Sequence, residues 1–314
     1  MVEETPTGWS DRSSELPAVS PTSSDRSPFA HVRMWIHPFT RFHEVPVFKR
    51  VWLYVALTGI YTLIVHWLLG PCSQWEALKE ANSLGYVSVI LGVLLVFRTN
   101  AANERWWEGR RVWGQLVNDS RNLAMKVDSL AELRKSEKEE FGTLIISFAY
   151  ALKHHLRNST PSSDLPGIEP LSELAGKNIP VHVADKIYAK VSSWRDSGII
   201  DNLELLRLDP HLRAFMDIAG ACERIRSTPL AVSYRAFMRQ GIAISLLLAP
   251  FYISNTGLEI WWKLSIVMLA AYFMVGMEMI AEEIEEPFGK EGDDLPLDTF
   301  CLNIRNTVNQ VLPT

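Results

Sequence analysis

Cysteine is scarce in this chain of 314 residues: Cys72, Cys222 and Cys301 are far apart, with no CxxC or zinc-type spacing. A disulfide framework and a cysteine-built metal site are therefore not expected. Basic residues are not in excess either. Thirty-one Lys and Arg face thirty-six Asp and Glu, for a formal net charge of −5, which argues against a nucleic-acid partner. The chain has no P-loop, no dinucleotide fingerprint, no HExxH and no GxSxG, so catalysis has no foothold and an enzyme is not expected. Strand-type alternation persists nowhere, which points to an all-α protein. Residues 1–27 are poor in apolar side chains and rich in Ser, Pro, Thr and acids, the composition of a disordered tail. They have neither the basic nor the apolar region of a signal peptide.

Long apolar runs are present. Val51–Gly70, Ala81–Phe97, Gln240–Leu258 and Leu264–Met277 hold no Asp, Glu, Lys or Arg over twenty, seventeen, nineteen and fourteen residues. A membrane helix needs about 20 residues. The fourth run reaches that length through Ile260, Trp261 and Trp262, with Lys263 extended toward the interface. Yet 21% of residues are charged and mean hydropathy is only +0.03, so a sizeable water-facing part accompanies the spans. The expected layout is a tail over 1–27, an amphipathic segment with two spans over 28–97, a helical cytosolic region over 98–239, two more spans over 240–280, and an acidic segment with a short helix over 281–314.

Lys and Arg set the orientation. Arg33, Arg41, Lys49 and Arg50 precede the first run, Arg98, Arg105, Arg110 and Arg111 follow the second, and Arg235 and Arg239 precede the third, while the intervening short loops carry almost none. Both termini and the middle segment are expected on the cytoplasmic side. A prokaryotic inner membrane is expected, with a thylakoid as the alternative.

Within the middle segment, Glu104–Asp128 reads as a continuation of the second span, and Leu130–Arg157 and Val181–Trp194 read as helices. Pro210 is expected to split Leu203–Ile225 into two pieces. Thr299–Leu312 reads as the closing helix, capped by Asp298.

Val89, Val93 and Phe97 recur at i, i+4 and i+8 on one face of the second span, and cover about 12 Å of its axis. Such a stripe either packs against another helix or lines a pore as apolar rings that gate by dewetting. Arg98, one residue on, either attracts anions to such a pore, snorkels as an anchor at the interface or pairs between subunits. Ser227 and Thr228 before Pro229 read as a helix start, whose free N–H groups either attract an anion or are simply capped.

Three motifs then agree with this topology. The run Ser88–Asn100 with Glu104, Arg105, Trp106, Trp107 and Glu108, followed by Trp113-Gly114-Gln115-Leu116, resembles the second-helix signature of the bestrophin family in its bacterial and plastid form. Cys222–Leu230, and Glu285-Glu286-Pro287-Phe288-Gly289 followed by Asp293–Asp298, fit the same family in the same order, over roughly residues 30–312. The resemblance implies a homopentameric ion channel in a lipid bilayer, with four transmembrane helices per subunit and one central pore. It places the pore neck on Val89, Val93 and Phe97, where animal members carry a bulkier aromatic at the middle layer. It places a second constriction near Ile199, Ile200 and Asp201. It implies passage of monovalent anions such as chloride, or of sodium as in one bacterial member. In eukaryotic members a calcium clasp follows the fourth span, and its positions fall here on Glu283, Glu291 and Asp294 with the carbonyl of Glu286. A membrane-anchored helical scaffold or calcium sensor is the reading from another class.

Overall fold

Hydropathy and helical periodicity leave one solution for such a chain, which is to pack helices on helices. The computed structural model describes residues 46–69, 83–159, 165, 178–254 and 256–313. The expected tail and the amphipathic segment before residue 46, Cys72 and most of the expected loop between 158 and 170 lie outside the described residues. The described residues form eight helices and no strand: α1 (Pro46–Leu69), α2 (Ser83–Asp128), α3 (Lys135–Leu156), α4 (Ile179–Asp196), α5 (Asn202–Ser227), α6 (Val232–Ser254), α7 (Ile260–Glu285) and α8 (Leu297–Val311).

Three of them are long and apolar enough to cross a membrane, over Lys49–Leu68, Val232–Ile253 and Ile260–Glu285. Their outer faces expose Leu53, Trp67, Leu247, Trp261 and Phe273, as a lipid-facing surface requires. Lys263 is buried in the protomer and not extended from it. The helix of the third expected run starts eight residues early, at Val232, because residues 229–231 already end the preceding turn.

Beyond the apolar helices lies a helical core. One face each of α2, α3, α4, α5 and α8 meets in a single cluster that buries Trp113, Phe141, Phe148, Trp194, Phe215 and Phe300. Phe141 packs on Trp194 with centroids 4.9 Å apart, and Phe148 on Phe215 at 4.8 Å. Burying each such ring stabilises the fold by about 1.5–3 kcal/mol. The last helix shows the pattern most plainly, since Leu297, Phe300, Cys301, Ile304 and Val308 are its buried face.

Two local expectations change. Pro210 lies inside α5, which continues through it. Leu208 before it and Leu212 and Phe215 after it are buried in the same core, and that packing outweighs the one lost backbone bond. Asp298 does not cap α8; the cap position is Pro296, and Asp298 sits in the first turn and pairs with Lys153 and Arg157 of the α3 terminus.

α2 joins the two parts. Its 46 residues run unbroken, about 69 Å at 1.5 Å per residue, from the apolar run into the helical core. It packs on α7, α6, α5, α3 and α8 along the way.

Candidate functional site

The site is the stretch of α2 where the apolar run becomes charged. Successive residues on a helix turn by about 100°, so neighbours in sequence face different ways. Leu91, Leu95, Arg98 and Ala102 form the inward stripe, all buried. Leu91 and Leu95 pack with Met238 and Ile242 of α6, where the Tyr234 hydroxyl donates to the Leu94 carbonyl at 3.1 Å. The opposite stripe is Val89, Val93 and Phe97, and it is open: 66%, 50% and 61% exposed in the protomer. Gly92 lies beside it with nothing within 4 Å of where a side chain would begin. The stripe is thus apolar, presented on a helix whose back is pinned.

Arg98 faces away from that stripe. Its side chain is fully buried, with Nη2 donating to Glu285 Oε2 at 2.6 Å and Nε 3.7 Å from Glu278. None of the roles expected from sequence is this one: the structure shows an ion pair made within the chain. A buried, neutralised guanidinium does not attract an ion in a lumen beside Phe97. Glu285 also accepts the Leu230 N–H on its other oxygen, at 2.9 Å. One carboxylate therefore ties the base of the stripe to the connection between α5 and α6.

Arg105, two turns further along α2, completes this junction. Its Nε donates to the Glu285 carbonyl at 3.1 Å, and Nη1 and Nη2 donate to the carbonyls of Thr228 and Ile225 at 2.5 Å each. Trp106 donates its ring N–H to the Asp293 carbonyl at 2.9 Å, while Trp107 stays 54% exposed. None of these partners could be read from α2 alone, since each lies more than a hundred residues away in sequence.

Ser227 and Thr228 are corrected. They end α5 and do not start α6, and both hydroxyls donate back to the Arg224 carbonyl. A helix C-terminus carries partial negative charge, so these two offer an anion nothing. Pro229 explains the stop, because the residue before a proline is pushed out of the helical region.

The expected second constriction falls on a tight connection. Gly198 adopts φ +75°, a left-handed conformation that glycine takes without strain, and the chain turns there from α4 into α5. Ile200 is buried in the helical core at 2% exposure, and Ile199 packs partly against it. Asp201 caps α5, accepting the Glu204 N–H at 2.6 Å while Glu204 accepts the Asp201 N–H at 3.2 Å.

Among the described residues, no three His, Cys, Asp or Glu side chains come together as metal ligands. Asp294 accepts the Glu291 N–H at 2.6 Å, and Glu291 lies 3.7 Å from Arg50. Burial pushes the Asp294 carboxyl above the ordinary range, against the Glu291 N–H that favours its charge. Glu283 keeps both carboxylate oxygens buried with no hydrogen-bond partner among the described residues.

Known proteins bear on the whole chain. A family model described as Bacterial/Fungal Bestrophin protein matches residues 29–310. A voltage-dependent anion channel-forming protein of Nostoc sp. is 33% identical over 276 residues, 84% of this chain and 86% of the relative. Its counterpart in Synechocystis sp. is 34% identical over 72% of this chain and 75% of its own length. The crystal structure of a bacterial bestrophin homolog from Klebsiella pneumoniae superposes with a TM-score of 0.75 at 21% identity, covering 83% of this chain and 97% of that one, and so shares the fold. The chain belongs to the bacterial and fungal bestrophin family.

Proposed function

We propose that this chain forms a channel that passes monovalent anions such as chloride passively, as five copies around one pore in a bilayer. The observation that carries the reading is the stripe Val89, Val93 and Phe97, apolar and at least half exposed on a helix whose opposite face is fixed. In a ring of subunits the three residues would stack as hydrophobic layers, and such a neck passes ions only when wetted. The apolar run preceding Arg98 would be the second of four membrane helices, shielded from lipid by neighbouring copies.

Preference for anions is supported by the curated relatives, which are named anion channel-forming proteins. Arg98 gives no support, being neutralised. No step of this reading uses calcium. The neck would select little by charge and would act mainly as a desolvation barrier, which weakly hydrated ions cross more easily.

The test is the reversal potential of the purified protein in a planar bilayer across asymmetric KCl. A shift toward the chloride equilibrium potential is expected. A shift toward the potassium potential would assign a cation channel to the same scaffold. Silence in bilayers shown to contain the protein would favour a membrane-anchored scaffold.

A further inference from the structure

Three helices end around one cavity of about 550 Å³ on the cytosolic side of the Arg105 junction. They are α3, α5 and α7, and the cavity is lined by Arg105, Arg157, Arg226 and Lys290, with Glu286 as its acidic side chain. The three guanidiniums are held from behind by backbone carbonyls: Arg105 as described, Arg157 Nε on Gly289 at 3.0 Å, and Arg226 Nη1 on His155 at 2.9 Å. Arg157 also pairs with Asp298 through Nη1 at 2.7 Å. The structure gives Lys290 no ion pair or hydrogen bond among the described residues.

Capping the helix ends alone would explain some of this, since cations favour helix C-termini. The magnitudes say it does not explain all. Each C-terminus carries about −0.5 of a charge, so three carry about −1.5. Four cationic side chains still exceed that, Glu286 and the Asp298 carboxylate on Arg157 together by about 0.5 of a positive charge. Several guanidinium N–H groups on Arg157 and Arg226 also remain unspent after the bonds above. Planar guanidiniums fixed at known angles, with a flexible ammonium beside them, match the several acceptor oxygens of a phosphate group. The volume lies in the range of small-molecule sites.

We infer that this cavity binds a small phosphate-bearing anion, held by Arg157, Arg226 and Lys290 with Arg105 as the inner wall. The site is separate from the stripe of α2 and stands whether or not the chain conducts. Because Arg105 belongs to α2, occupancy would stiffen the helix that carries the stripe.

The test is titration calorimetry of the full chain in detergent at fixed ionic strength, with pyrophosphate as the probe. Saturable binding is expected in the wild type. Lys290→Gln touches no partner in the fold, and should weaken binding about tenfold without moving the unfolding midpoint of the ligand-free protein. Arg226→Gln should do the same or more. Arg111→Gln, on an exposed face of α2, should change nothing. Short-chain phosphatidic acid in the same titration separates two sources of phosphate: tighter binding than pyrophosphate points to a lipid headgroup, weaker binding to a free phosphate compound. No saturable heat with either probe, or a Lys290→Gln affinity equal to wild type, would overturn the inference. So would an equal loss in Arg111→Gln, which would mean bulk charge attraction only.

Discussion

Arg98 and Glu285 stand 187 positions apart in the chain, and their side chains meet at 2.6 Å with almost no exposure to water. This pair fixes which face of α2 is turned outward. It also makes the junction unforgiving, because a buried charge that loses its partner keeps its desolvation cost. Arg98→Met is therefore expected to destabilise the solubilised protein by about 3–5 kcal/mol. Arg98→Met combined with Glu285→Met should recover much of that loss, as two apolar side chains replace the pair. Chemical denaturation in detergent measures both. Equal losses in the single and the double variant would contradict this account of the junction.

Gly109 lies one turn beyond Arg105 on α2. A Cβ there would come within 3.2 Å of both Leu295 Cδ1 and Phe288 Cε1, side chains that are themselves buried. Overpacking costs about 1–3 kcal/mol, and the helical gain of Ala over Gly offsets up to about 1. Gly109→Ala should thus lose about 1 kcal/mol, read as a lower unfolding midpoint. A higher midpoint would mean that the segment after α7 shifts freely.

Much of the fold was written in periodicity. The buried face of α8, the continuation of α2 past the apolar run and the outward stripe of Val89, Val93 and Phe97 all follow from counting residues at helical spacing. Arg98 was half legible. It stands three residues after Leu95 and seven after Leu91, so it shares their face, but its partner on α7 leaves no mark near it in the sequence. Pro229 and Pro210 show the limit of local rules. The first ends a helix one residue earlier and was read as beginning one, and the second sits in a helix that core packing holds together.

The two aspartates near the start of α8 should pull acid stability in opposite directions. Burial works against ionisation of Asp298, but Arg157 and Lys153 outweigh it and hold its carboxyl below the ordinary range. Its contribution is therefore complete above about pH 3.9 and fades as pH falls through the lowered value. Asp298→Asn should melt below wild type at neutral pH, and the two should converge in acid. Burial raises Asp294, so its protonated form favours the fold at acid pH and that gain fades as pH rises through the raised value. Asp294→Asn should accordingly raise the neutral midpoint relative to the acid one, opposite in sign to Asp298→Asn. Melting curves across pH check both signs.

The described thiols should be silent. Burial pushes Cys222 and Cys301 up to about 12, and both lie in the helical core. A thiol so far above neutral pH offers little thiolate, and its burial blocks access. With Cys72 replaced by Ser, maleimide should label the folded protein at pH 7 hardly at all, and should label two thiols after denaturation. Rapid labelling of the folded variant would show that the core opens.

That silent background allows the most direct test of the central claim, that Val89, Val93 and Phe97 face the ion path. In Cys72→Ser, a further Val93→Cys would carry the one accessible thiol of the described part of the chain. Current through bilayers would be recorded before and after a charged, membrane-impermeant methanethiosulfonate is added. The account predicts that labelling proceeds from the aqueous phase and that current then falls or changes its ion preference with the sign of the attached charge. Current unchanged after labelling has been verified would contradict it, and would assign the stripe to packing between subunits.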